Sequence, residues 1–253
     1  MKASVFAIFF AFAAAPVFLT CTNEIVDMWW GAAPESQDEL LELSMPIGSF
    51  TGYKVTTGTN KQVLDRNKSI GFDAPMSERV NAVSVWSDSG DIYFEYLFPA
   101  PKKDNQKPKE LTVSFEACSE FNGSYKNDYL SDITIRINGI QCAIWNCPGD
   151  LGERAGKITP PPAWLGAQPS TRYGMLAKLN VSQTGTTLAV TKDGVQSSPA
   201  KVSNVTIDDL NLDDSYLSLK ISVEPDAVNK GGINLFGSGF GDYPQDILLS
   251  IQY

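Results

Sequence analysis

The chain has 253 residues, with 20 Lys and Arg against 29 Asp and Glu, a net charge of −9 and no histidine. Zero histidine excludes a Ser-His-Asp triad, a Cys-His pair, His-ligated zinc and imidazole acid–base chemistry. The acidic balance argues against a protein that grips nucleic acid by neutralising phosphates, while 43% hydrophobic residues suffice for a real core.

Met1-Lys2 precedes an apolar run, Ala3 to Thr20, broken only by Ser4 and Pro16. Its charge flanks predict export, as a cleaved signal peptide or an uncleaved membrane anchor over residues 1–21. Phe18-Leu19-Thr20-Cys21 also reads as a loose bacterial lipobox, with Cys21 as the lipidated residue. Residues 22–39 read as a tether, although Trp29-Trp30 within it is unusual for one.

From residue 40 to 253 the pattern changes to strands in a single domain. Apolar residues alternate with mostly polar ones at Leu111–Ala117, Ile133–Ile137, Leu217–Val223 and Ile247–Ile251. This period of two predicts strands with one buried and one solvated face. Further strands are expected at 41–47, 80–86, 91–98, 141–145, 173–181 and 186–191. Asn138-Gly139 and Asp193-Gly194 are type I′ hairpin signals. No segment carries a long capped helical period. The predicted fold is all-β, an antiparallel β-sandwich of jelly-roll or galactose-binding-like type with long loops. The connection 146–172, with Pro160-Pro161-Pro162, is expected to fold back over the sandwich.

Candidate ligand residues lie mainly in the loops. Asn127, Asp128, Ser131 and Asp132 suit sugar hydroxyls or Ca²⁺, a hard cation that prefers oxygen ligands; such residues also serve simply as turn formers. Asp150 and Arg154 could hold a ligand bidentately or pin the long loop. In Gly231 to Asp246, Phe240 and Tyr243, with Phe236, could form a stacking platform, and Asn234, Asp242 and Gln245 its hydrogen-bond partners. The competing reading packs the same aromatics beneath the last strand. Trp145 and Trp164, with Trp86 and Tyr173, are further candidates for holding a sugar or for filling the core. Glycosidase chemistry needs two carboxylates at a defined separation; Glu116, Glu120, Asp128 and Asp150 are those to check, and no motif singles out a pair.

Several stretches carry a resemblance. They include Cys118-Ser119-Glu120, Lys126-Asn127-Asp128, Ser131-Asp132-Ile133-Thr134, Ile137-Asn138-Gly139 and Pro148-Gly149-Asp150. Ser170-Thr171-Arg172-Tyr173-Gly174, Gly231-Gly232-Ile233-Asn234-Leu235-Phe236-Gly237 and Gly239-Phe240-Gly241-Asp242-Tyr243-Pro244 follow. In this order they resemble the C-terminal domain of bacterial ArsR-like, winged-helix transcriptional regulators, over roughly residues 40–253. The resemblance implies a ligand-sensing β-sandwich. Where those regulators carry a DNA-binding helical module, this chain carries the export segment.

Export would permit a disulfide, but with Cys21 lipidated or removed, Cys118, Cys142 and Cys147 leave one cysteine over. The sequence thus predicts an exported or surface-tethered, non-enzymatic domain. Its expected partner is carbohydrate or another polar small ligand, with membrane contact through the N-terminus, no nucleic acid, and no cofactor unless Ca²⁺. The alternatives are a structural or protein-interaction sandwich and a carboxylate-dependent glycoside hydrolase.

Overall fold

The computed structural model describes residues 39–55, 62–65, 68–70, 82–86, 89–99, 106–121, 128–159, 172–197, 200–212 and 215–253. The apolar run, with Cys21, and residues 22–38 of the tether lie outside them. Residues Leu40–Tyr253 form one compact unit, and no helix among the described residues is long and apolar enough to cross a membrane.

The protein is an antiparallel β-sandwich. Its strands are β1 (Leu40–Met45), β2 (Gly52–Lys54), β3 (Gln62–Asp65), β4 (Lys68–Ile70), β5 (Ala82–Val85), β6 (Ile92–Pro99), β7 (Glu110–Cys118) and β8 (Ser131–Ile137). They continue as β9 (Ile140–Cys147), β10 (Met175–Ser182), β11 (Gly185–Lys192), β12 (Val195–Ser197), β13 (Ala200–Val202), β14 (Tyr216–Val223), β15 (Ile233–Phe236) and β16 (Ile247–Gln252). One sheet runs β12-β11-β10-β7-β15-β5-β3-β4, with β16 beside β7 and β1 outside β16; the other runs β13-β9-β8-β14-β6-β2.

The alternation read from sequence becomes the core. Leu111, Val113 and Phe115 of β7, Ile133, Ile135 and Ile137 of β8, and Leu217, Leu219 and Ile221 of β14 are all fully buried. Each such side chain contributes on the order of 2 kcal/mol by leaving water. The hairpin dipeptides behave as their chemistry requires. Asn138 and Gly139 have φ of 48° and 79°, and Asp193 and Gly194 have 51° and 79°, the left-handed pair that a type I′ turn needs.

Several features depart from the expected elements, the four- and three-residue strands β3 and β4 among them. The sequence pattern makes Gly231 to Asp246 a connection, yet Ile233–Phe236 is a strand, paired with β5 on one side and β7 on the other. Its four residues are buried on both faces, so it shows no alternation to read. The short strands β2, β12 and β13 lie at the margins, where three residues leave little pattern. A 3₁₀ turn at Ile207–Leu210 is fixed locally: the Asp209 carboxylate accepts hydrogen bonds from Thr206 N–H (2.8 Å) and Oγ1 (2.7 Å).

The described start of the long connection does fold back over the sandwich. Leu151 is buried at 2% exposure. Its carbonyl accepts from Arg172 N–H at 2.9 Å, and Ile158 N–H donates to Gly241 O at 3.0 Å. This cover explains why Glu116, a polar-phase residue of β7, is fully buried.

Candidate functional site: a polar groove on the smaller sheet

The outward face of β13, β9 and β8 carries Lys201, then Ile144 and Asn146, then Asp132, Thr134 and Arg136. The segment Glu224–Val228 after β14 rises beside them and closes a groove of about 930 Å³. Period-two geometry places these side chains here, because the opposite phase of β8 is Ile133, Ile135 and Ile137 in the core.

Its polar groups are held in fixed pairs. Asp132 accepts from Asn146 Nδ2 (2.7 Å), Asn229 N–H (3.0 Å) and Asn229 Nδ2 (3.1 Å). Partial burial pushes its carboxyl up, but these donors outweigh burial and hold it below the ordinary aspartate range. Arg136 donates from Nε to Glu224 Oε1 (3.3 Å) and from Nη2 to Gln141 Oε1 (3.1 Å). Ser222 Oγ donates to the same Glu224 oxygen at 2.9 Å. Carboxylate, amide, guanidinium and ammonium therefore surround a floor that includes Ile144 and Ala200. Such a surface offers oriented donors and acceptors around an apolar strip, the arrangement that suits a ligand with hydroxyls on its rim and C–H groups on its face.

A second cluster gathers the glycine-rich segment and the long loop. Arg154 donates to both oxygens of Asp242 (2.9 and 2.6 Å) and to Asp193, with its guanidinium 3.7 Å from the Tyr173 ring centroid. Lys157 N–H also donates to Asp242, at 3.0 Å. The Tyr173 hydroxyl donates to Glu153, which Lys192 approaches to 3.3 Å. Beneath lies Glu116, accepting from the N–H groups of Gly174 (2.7 Å), Asp242 (2.9 Å) and Tyr243 (2.9 Å). Burial is the larger influence and raises its carboxyl to about 7; the three N–H donors oppose it, and the Asp242 charge adds to it. Every strong group here is engaged by another segment of the chain, so the cluster acts as a clamp between β7, the start of β10 and the 237–246 segment.

The structure therefore distributes the expected site residues between these two places and the core. Asp132 lines the groove. Arg154, Asp242 and Tyr243 belong to the clamp, where the Tyr243 hydroxyl donates to Thr191 O at 3.1 Å. Gln245 Nε2 donates to Ser114 Oγ at 2.9 Å, and Asp128 is exposed in a turn. Four expectations of ligand contact are corrected by burial. Trp145 is at 0% exposure, Asp150 and Asn234 at 1% and Phe240 at 3%. Asp150 accepts from Phe121 N–H at 3.2 Å. Asn234 Nδ2 donates to Ser119 O at 2.9 Å and to Glu120. Phe240 stacks on Phe236 with ring centroids 5.8 Å apart. Asn127 and Trp164 lie outside the described residues. Arg136, Gln141, Asn146, Lys201 and Glu224 were missed; the signal that could have found them is the polar phase of β8 and β9, which reads as ordinary solvated sheet.

The carboxylates singled out for hydrolysis do not face a cleft as a pair. Glu116, Glu120 and Asp150 are buried in hydrogen bonds and Asp128 is exposed. Among the described residues no group of three or more Cys, Asp or Glu could hold a metal ion. The loop set expected to suit Ca²⁺ is split, since Ser131 Oγ turns inward to Gly232 O at 2.8 Å. Cys118, Cys142 and Cys147 are buried free thiols. Desolvation raises all three, Cys142 to about 11 and Cys147 to about 12, so none is a nucleophile at neutral pH.

No family model and no curated protein matches the chain. Among solved structures, the CBM2 module of the evolved Dit of Lactobacillus casei BL23 phage J-1 is 9% identical, with a TM-score of 0.33 over 86% of this chain and 92% of that one. Lectin II from Ulex europaeus is 10% identical, with a TM-score of 0.34 over 86% and 99%. An alginate lyase from Klebsiella pneumoniae is 10% identical, with a TM-score of 0.27 over 83% and 95%. Likeness at this level leaves the chemistry of the groove to be argued from its own residues.

Proposed function

We propose that this protein is an exported or surface-tethered, non-enzymatic binding domain whose groove takes a polar, hydroxyl-rich ligand of the carbohydrate class. The observation that carries the reading is the groove itself: about 930 Å³, walled by pre-positioned hydrogen-bonding groups of both signs above an aliphatic floor. Fixed partners such as Asn146–Asp132 and Arg136–Glu224 lower the ordering cost of recognition. The burial of Glu116, Glu120 and Asp150 favours binding over hydrolysis. Export is supported by the N-terminal apolar run, and a ligand-recognising role by the resemblance to the regulator domain.

A glycan array followed by titration calorimetry on the full chain tests this. Asn146→Ala and Arg136→Ala should each weaken binding about tenfold, the worth of one well-placed hydrogen bond near 1.4 kcal/mol. Binding of no glycan, or binding indifferent to both changes, would overturn it.

A further inference from the structure

Two packed sheets normally lie about 10 Å apart, more than the roughly 7 Å between Cα atoms that a disulfide can span. At one corner of this sandwich the sheets converge. Lys230 pairs with Ser131 of β8 in the smaller sheet, and Asn234, on the same segment, pairs with Cys118 of β7 in the larger. Ser119 Oγ and Ser131 Oγ meet across the gap at 2.7 Å. Ser119 N–H donates to Gly149 O at 3.1 Å, so the chain leaving β9 lies against the end of β7.

Two of the three buried cysteines stand at this corner. Cys118 closes β7 just before Ser119, and Cys147 closes β9 opposite Ser131. Both are at 0% exposure. Burial is the main influence that raises each thiol; beyond it, the Asp150 and Cys147 charges raise Cys118, and the Gly149 and Ser119 backbones lower Cys147. The two sulfurs therefore share one small space beside Ser119. Only weak contacts hold them there: Asn234 Nδ2 donates to Cys118 Sγ at 3.5 Å, and Cys147 Sγ to Gly149 O at 3.9 Å. Losing the S–H donor forfeits little. Cys142 sits near the other end of β9, where its thiol donates to Ile140 O at 3.5 Å. At the usual rise per residue it is about 16 Å along the strand from Cys147, out of reach of this corner.

We propose that Cys118 and Cys147 are a disulfide-forming pair that cross-links the two sheets when the chain folds in an oxidising medium, with Cys142 left as the odd thiol. The oxidant is a small-molecule disulfide such as oxidised glutathione. One cysteine thiolate attacks it and releases one thiol; the second cysteine thiolate then displaces the mixed disulfide and releases another. The two cysteines lose two protons and two electrons, and the oxidant's S–S bond takes them up as two thiols. The step belongs to folding, because in the finished fold both thiols are buried and protonated. The bridge fixes the end of β9 next to Asn146, whose side chain holds Asp132. It depends on an oxidising medium, which the export reading supplies, and not on what the groove binds.

The test refolds the reduced, urea-unfolded full chain in a mixture of oxidised and reduced glutathione, or with a phosphine reductant instead. Each sample is then alkylated with N-ethylmaleimide in denaturant, digested with trypsin and mapped by mass spectrometry without reduction. The glutathione sample should contain the peptide of residues 110–126 joined to that of residues 137–154, with maleimide on Cys142. Its urea midpoint should lie about 1 M above that of the reduced sample, the scale of a bridge that closes a loop of this kind. Cys142→Ser should keep both the joined peptides and the higher midpoint, whereas Cys147→Ser should lose both. The map of the unaltered chain decides the pairing even if a serine variant fails to fold. If Cys118 and Cys147 both carry maleimide, if Cys21 or Cys142 takes part in the bridge, or if the joined protein unfolds no later than the reduced one, the proposal is wrong.

Discussion

Phe240 and Glu116 show how single residues are decided by what covers them. Phe240 lies at 3% exposure and stacks on Phe236, with ring planes 4° apart. Truncating it should leave a cavity and cost about 3–5 kcal/mol, read as a lowered midpoint in urea or thermal unfolding. A loss under about 0.5 kcal/mol, the scale of surface changes, would mean that the ring is not part of the core. Glu116 sets a pH dependence of opposite sign to that of most carboxylates. Its folded value of about 7 lies above its ordinary 4.5, so between those limits the folded state binds the extra proton. Stability therefore falls as pH rises from about 4.5 to about 7, by at most about 3 kcal/mol. Asp132 and Asp242 are shifted down from 3.8; their stabilisation is present above that value and is lost as pH falls through the folded values. Unfolding free energies should accordingly peak between about pH 4 and 5, and Glu116→Gln should flatten the decline above pH 5.

At the scale of elements, the glycine-rich segment before β16 is a structural joint. Gly232 donates its N–H to Glu120 O at 2.8 Å, and a Cβ there would sit 2.0 Å from the Val85 carbonyl oxygen. Backbone meets backbone at that point, so no rotamer relieves the clash. Gly232→Ala should destabilise the protein by about 3 kcal/mol or more, whereas Gly194→Ala meets nothing within 4 Å and should cost only the strain of its positive φ, about 1 kcal/mol. Comparing the two urea midpoints separates close packing from backbone conformation. The strands with alternating faces were legible from sequence because one face meets the core and the other meets water. Strand β15 was not, because both of its faces are covered and its glycine and aromatic neighbours look like a loop.

On the scale of the whole molecule, the compact unit begins at Leu40, whose strand pairs with β16 along its full length, from Leu40–Gln252 to Met45–Ile247. Removing residues 1–36 leaves that pairing intact and should yield a protein that unfolds in one cooperative transition. Removing residues 1–46 deletes β1, exposes the edge of β16, and should lower the transition and promote aggregation; both are checked by thermal melts and light scattering. The sequence alone determined the all-β class, the alternating core strands, the two Asx-Gly hairpins and the exclusion of histidine chemistry, since these follow from composition and from contacts a few residues apart. Only the tertiary structure decided which polar residues face a groove and which form a clamp. Asp132 and Asn146 are 14 residues apart, Arg136 and Glu224 are 88 apart, and Arg154 and Asp242 are 88 apart. Partners so distant along the chain are brought together by sheet register and loop cover, which local sequence pattern does not encode.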